Sequence, residues 1–174
     1  MNLFASVPIW LVAWLAAALA VAAIEDAVRL RISNVSCLAV FLGAVVAMGL
    51  AGFPLALWQN WLVFAVLLSL GTFLFASGKV GGGDVKLLAA VALWVDLRSA
   101  VWLLAAVFLA GGLLAIGFIA ARLLFRARGG KKKIGSKGIP YGLAIVTGAA
   151  FVFLAQSDLN KPSKPNPFSL NVPR

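Results

Sequence analysis

Gly78-Lys79-Val80-Gly81-Gly82-Gly83-Asp84-Val85-Lys86 puts three consecutive glycines and a carboxylate at the head of an apolar run, in a chain with five acidic residues and no histidine. The run that follows, Val85 to Val95, carries no charge apart from Lys86, and the run before it, Trp61 to Ser77, carries none at all. A carboxylate at the edge of a bilayer is costly to keep, so it reads as functional by default. The stretch therefore asks two things of the rest of the chain: whether it is membrane, and which group partners Asp84.

The first answer comes from composition. Of 174 residues, 63% are hydrophobic and 11% charged, and the mean hydropathy is +1.05, far from the roughly 25% charged residues of soluble domains. The apolar residues fall into six blocks, Leu3–Ile24, Val35–Phe53, Trp61–Ser77, Val85–Val95, Ala100–Phe125 and Ile139–Gln156. About 20 apolar residues suffice to cross a hydrocarbon core of ~30 Å. The reading is an all-α membrane protein, a six-helix transmembrane bundle with a short fourth helix, formed by one domain over residues 1–157. One long tilted helix from Val85 onward competes with a turn at Asp96-Leu97-Arg98-Ser99. The first block lacks a basic leader and ends in Glu25-Asp26 rather than small residues, so it is expected to remain as a helix. Residues 158–174 contain Pro162, Pro165, Pro167 and Pro173 and read as an irregular tail.

Basic residues orient the bundle. With alternating connections, eleven of the 15 Lys and Arg share one side: Arg29, Arg31, Lys79, Lys86, Arg122, Arg126, Arg128, Lys131, Lys132, Lys133 and Lys137. Arg98, Lys161, Lys164 and Arg174 fall on the other. The positive-inside rule makes the first side cytoplasmic and both termini external, and the six tryptophans mostly fall near outer ends, as interfacial aromatics do. The net charge of +10 does not point to nucleic acid, because the run Arg126, Arg128, Lys131, Lys132, Lys133, Lys137 has no interleaved aromatics. A basic run beside a membrane span faces anionic lipid.

The second answer comes from elimination and placement. Without histidine and with only Cys37, histidine-based triads, disulfide pairs and the usual metal sites are excluded, and no cofactor is called for. Glu25 and Asp26 close the first helix on the side where Asp84 opens the fourth; Asp96 and Asp158 are on the other. Asp26 and Asp84, with Glu25 in reserve, form the one available carboxylate pair. Two carboxylates close together share a proton, so one can polarise a peptide carbonyl while the other deprotonates water. Gly81, Gly82 and Gly83, lacking Cβ, would permit positive φ and let a substrate strand approach Asp84.

Gly81-Gly82-Gly83-Asp84-Val85-Lys86 resembles the GxGD-x-K signature of the prepilin peptidases, the intramembrane aspartyl proteases of type IV pilus systems. Asp26-x-x-Arg29-x-Arg31-Ile32-Ser33-Asn34 is similar to that family's first motif, with Ser33 in place of its usual proline. Lys137-Gly138-Ile139-Pro140-Tyr141-Gly142 is similar to a third element that opens the last helix. The resemblance implies that Asp26 and Asp84 cut the amino-terminal leader of a prepilin or pseudopilin at the cytoplasmic face of the bacterial inner membrane. The length resembles the short members that serve Flp pili; the cysteine-bearing insert of the longer methylating members is missing, which argues against methyl transfer.

The residues also admit a small transporter or channel subunit that uses Asp26 and Asp84 as a proton or ion site, which would place both acids near the bilayer midplane. Structural readings accompany the functional ones. Asp84 reads equally as a helix cap, Asp26 as a partner of Arg29 at i+3, Glu25 as a solvated neighbour and Lys86 as a snorkelling cation. Gly111, Gly112 and Gly117 read as close-packing positions.

Overall fold

The computed structural model describes residues 2–4, 6–127 and 141–159, and every regular element among them is helical. Helix α1 spans Ile9–Arg29, α2 Asn34–Leu50, α3 Trp58–Ala76, α4 Gly82–Ala92, α5 Leu97–Ala127 and α6 Tyr141–Leu159, with a 3-10 turn over Leu55–Leu57 leading into α3. Ile9–Arg29, Leu55–Ala76 and Leu97–Ala121 are long and apolar enough to cross a membrane, and Asn34–Leu50 and Tyr141–Ala155 are shorter apolar helices.

Two boundaries matter for the site: the ends of α1 differ from the first apolar block, and the turn expected at Asp96-Leu97-Arg98-Ser99 is present. Helix α1 starts after Pro8, which holds an extended φ of −60° and ψ of 151°, and it continues through Arg29. Glu25 and Asp26 therefore close the helix from within its last turns, as expected. Between α4 and α5 the chain turns rather than continuing as one helix. Asp96 caps α5 by accepting the Ser99 N–H at 2.9 Å, so the turn terminates the short helix.

Helix α4 is the hub. It packs on α2, α3 and α6, while α5 lies mainly on α6 and α1 on α2 and α6. Leu87, Ala89 and Val91–Val95 have no exposed surface, as expected of a helix apolar on all sides. Eleven residues rise only ~16 Å, and the rest of the depth is filled from elsewhere. The Leu3 and Phe4 N–H groups donate to the Trp94 carbonyl at 3.1 and 3.3 Å, and Asn60 Nδ2 donates to the Leu93 carbonyl at 2.9 Å. Carbonyls left over at a helix end need such partners.

Between helices inside lipid there is little hydrophobic drive, so close backbone approach and hydrogen bonds carry association. The positions that provide it are not those expected. A Cβ at Gly112 or Gly117 would meet nothing within 4 Å, and at Gly111 it would make an ordinary 3.6 Å contact. At Gly148 it would lie 2.7 Å from the Val107 nitrogen, and at Gly71 it would run into Val85. These are the glycines that seat α6 on α5 and α3 on α4. Trp94, read as interfacial, is fully buried and donates its indole N–H to the Val40 carbonyl at 3.1 Å.

The side chain of Arg126 and the residues Arg128, Lys131, Lys132, Lys133 and Lys137 lie outside the described residues, as do Gly138–Pro140 and the chain beyond Leu159.

Candidate active site

Asp26, in the last turn of α1, is buried, with 4% of its surface exposed. Its Oδ2 accepts the Gly142 N–H at 2.6 Å and the Leu143 N–H at 3.3 Å. Those are the second and third residues of α6, whose first-turn N–H groups have no partner within their own helix. Asp26 thus caps a helix 116 residues away in sequence, where the positive end of the helix dipole favours an anion. Its partners lie on α6 rather than at Arg29. A Cβ at Gly142 would lie 2.9 Å from that same Oδ2 and 2.7 Å from Ile32 Cδ1, so only glycine leaves the carboxylate in place.

Asp84 is the third residue of α4 and half-buried. Gly81 is the N-cap with an extended backbone, φ −71° and ψ 137°, and its N–H donates to the Asp84 carboxylate. That is one arm of a capping box, in which the third helical residue reaches back to the cap. Positive φ does not occur across Gly81-Gly82-Gly83; it occurs at Gly78, φ 72°, which ends α3 with Gly78 and Lys79 N–H groups bonded to the Phe75 and Leu74 carbonyls. The triple glycine answers a need for space instead. A Cβ would sit 2.6 Å from Asp84 Oδ2 at position 81, 3.2 Å from the Phe75 ring at 82, and 3.1 Å from Ile32 at 83.

The two carboxylates are at the same end of the bundle, on α1 and α4, which both pack against α2 and α6, and Asp84 is within electrostatic range of Asp26. Asp84 stands ahead of the apolar run of α4, outside the spanning segments. Burial, then the charge of Asp26, push its carboxyl up to about 6, against the opposing pull of the Gly81 N–H. A carboxyl in that range can hold a proton beside an ionised neighbour. From Asp84 a cavity of about 470 Å³ extends between α3, α4, α5 and α6 past Leu88, Phe108, Gly112 and Tyr141. The wall is apolar apart from Asp84 and the Tyr141 hydroxyl, and Gly112 contributes open space to it.

The other expected residues take definite places. Lys86 does not simply snorkel: its Nζ donates to Asn34 Oδ1 at 2.9 Å, tying α4 to the start of α2. Glu25 is partly exposed and also bonded: its Oε2 accepts from Ser33 N at 3.0 Å and Ser36 Oγ at 2.8 Å. Ile32, Ser36, Tyr141 and Gly142 were not among the expected site residues. Gly142 and Tyr141 stand in the Lys137–Gly142 element and Ile32 in the Asp26–Asn34 motif, which are the sequence signals pointing at them; nothing local marks Ser36. Among the described residues no cluster of ligands could hold a metal ion.

The model of the type IV leader peptidase family matches residues 13–116, a span that begins within α1, holds both carboxylates and stops inside α5. No curated protein and no solved structure matches the chain.

Proposed function

The chain belongs to the type IV leader peptidase family, and from that premise we propose that it is an aspartyl endopeptidase that removes the amino-terminal leader of prepilins or pseudopilins at the cytoplasmic face of the inner membrane. The observation that carries the reading is the gathering of Asp26 and Asp84 at one end of the bundle, with an apolar cavity leading away from Asp84. Asp84 acts as the acid and hydrogen-bonds the scissile carbonyl oxygen. Asp26 takes a proton from a water molecule whose oxygen attacks the carbonyl carbon. The tetrahedral intermediate collapses with breakage of the C–N bond, and the departing amine takes up the proton. No covalent enzyme intermediate forms. The cavity receives the apolar segment that follows the leader in the substrate.

In this reading residues 1–157 form one domain of six membrane helices with the amino terminus outside. The chain resembles the short Flp-type members without methyl transfer, and Arg126, Arg128, Lys131, Lys132, Lys133 and Lys137 face anionic lipid. The depth of the acids speaks against an ion site: both occupy terminal turns of their helices, where a transporter would hold them near the middle of the span.

The test is incubation of the purified protein with a candidate prepilin, read by mass. The wild type yields mature pilin plus leader; Asp84→Asn leaves the precursor intact. Full processing by Asp84→Asn would remove that carboxylate from the mechanism.

A further inference from the structure

The link between α1 and α2 touches both backbones that hold the carboxylates. Leu30, in the left-handed region at φ 52°, ends α1 by donating to the Asp26 carbonyl at 2.8 Å. Three residues later Ser33 caps α2, its Oγ accepting the Ser36 N–H at 3.1 Å. Glu25 binds this cap from the side. It precedes Asp26 by one residue, ~100° around the helix, so it faces α2 while Asp26 faces α6. One Glu25 oxygen accepts both the Ser33 N–H and the buried Ser36 hydroxyl.

Ile32 is therefore held from both sides, and it lies against both glycines that matter. Its Cδ1 lies where a Gly142 Cβ would be 2.7 Å away, and its Cβ and carbonyl oxygen lie 3.1 Å from where a Gly83 Cβ would be. Gly142 donates to Asp26, and Gly83 immediately precedes Asp84. Ile32 is a spacer between the peptide that holds one carboxylate and the peptide that carries the other.

We propose that Glu25 is a positioning residue for peptide cleavage: by fixing Ser33 it fixes Ile32, and through Ile32 the separation of Asp26 and Asp84. The inference rests on the reading of those two aspartates as the cleaving pair. Glu25 itself needs no charge and no proton transfer for this, only an acceptor oxygen at the right reach.

The test uses the full chain in lipid nanodiscs with a prepilin substrate, kcat and KM being read from mass-resolved cleavage and folding from thermal melts. Glu25→Ala lowers kcat at least ten-fold with KM within two-fold. Glu25→Gln, whose amide oxygen accepts the same two bonds, keeps at least half of wild-type kcat and the wild-type pH profile. Glu25→Asp, one methylene too short, falls between them. Ile32→Ala keeps the Glu25 bonds and the Cβ and carbonyl against Gly83 but removes the Cδ1 that reaches Gly142, opening the Asp26 side of the spacer, and loses kcat as Glu25→Ala does. Wild-type kcat in either alanine variant overturns the proposal, as does a Gln variant as slow as the Ala variant, which would mean that Glu25 works through its charge. If Glu25→Ala does not fold, equal rates for Glu25→Gln and Glu25→Asp overturn it. Cleavage by Asp84→Asn would sink the carboxylate reading itself; a normal Glu25→Ala alongside an inactive Asp84→Asn would sink only the positioning role.

Discussion

The two ends of α4 are built on opposite principles. At its start, small residues leave room for polar groups: Gly81 for the Asp84 carboxylate, Gly142 for Asp26, Gly83 for Ile32. At its far end, space is filled. Trp94 is fully buried, Leu3 is folded back over it, and Phe4 stacks on Phe153 with ring centroids 4.4 Å apart. Even the glycine there serves packing, for a Cβ at Gly43 would lie 2.9 Å from the Trp94 ring and 3.1 Å from Trp14. One end holds carboxylates by backbone N–H groups at the cost of close packing; the other anchors the helix that carries Asp84.

The sharpest way to separate the ends is to neutralise the carboxylates. Asn keeps the shape of Asp and offers an oxygen to the same N–H donors, so Asp26→Asn and Asp84→Asn should insert and fold as wild type does. Their cleavage rates should fall by about 10³-fold or more, in the range a positioned acid or base supplies. Measurable turnover near wild type in either variant would mean that this end is a cap and nothing else. Next in size is Gly142→Ala. The added methyl displaces Asp26 Oδ2 or Ile32, and we expect kcat to fall ten- to a hundred-fold together with about 1–3 kcal/mol of stability, as overpacking does. Gly112→Ala, with open space around it, is the control and should melt as wild type does.

At the packed end the signature reverses. Gly43→Ala forces the Trp94 and Trp14 rings apart and should cost about 1–3 kcal/mol of stability, while the folded fraction cleaves with wild-type kcat. Thermal melts followed by rate measurements on the same sample decide it. A loss of kcat without loss of stability would show that the two ends are not separable in this way.

How much of this was legible depends on sequence distance. The helical class, the six apolar blocks and the Asp96 turn were readable because hydropathy and caps are local signals. Asp84 and its glycines were readable as a motif. Their reason was not: the glycines were expected to supply positive φ, whereas each makes room for a neighbour, and two of those neighbours, Phe75 and Ile32, sit on other elements. Asp26 was chosen for its side of the membrane, yet what holds it is the start of α6, 116 residues on. Glu25 and Lys86 were read as solvent- or lipid-facing because their partners, Ser33, Ser36 and Asn34, look like ordinary turn residues. Close packing was assigned to the conspicuous Gly111-Gly112, while the glycines that meet a neighbour, Gly43, Gly71 and Gly148, stand alone in apolar runs.

The smallest effect is also the most direct probe of the contrast, because each end of α4 carries one titratable carboxyl beyond the spans. Asp84 is pushed up to about 6, first by burial and second by Asp26. Asp96 moves the other way: burial opposes it, but the Ser99 side-chain and backbone hydrogen bonds outweigh that and hold its carboxyl below the ordinary value. The signs follow from linkage. A raised carboxyl gives stability that is complete below its unfolded value of 3.8 and lost as pH rises through about 6; a lowered one gives stability present above the unfolded value and lost as pH falls through the folded one. Asp84→Asn should therefore abolish a loss of melting temperature that wild type shows between pH ~4 and ~6, and Asp96→Asn one that wild type shows only below pH ~4. Infrared titration of the carboxyl band sharpens the first: Asp26→Asn should lower the Asp84 midpoint without returning it to 3.8, since burial is the larger cause. A midpoint that does not move would mean that the two carboxylates do not sense one another, and the acid–base division proposed for the reaction, in which cleavage fades as pH rises through about 6, would lose its physical basis.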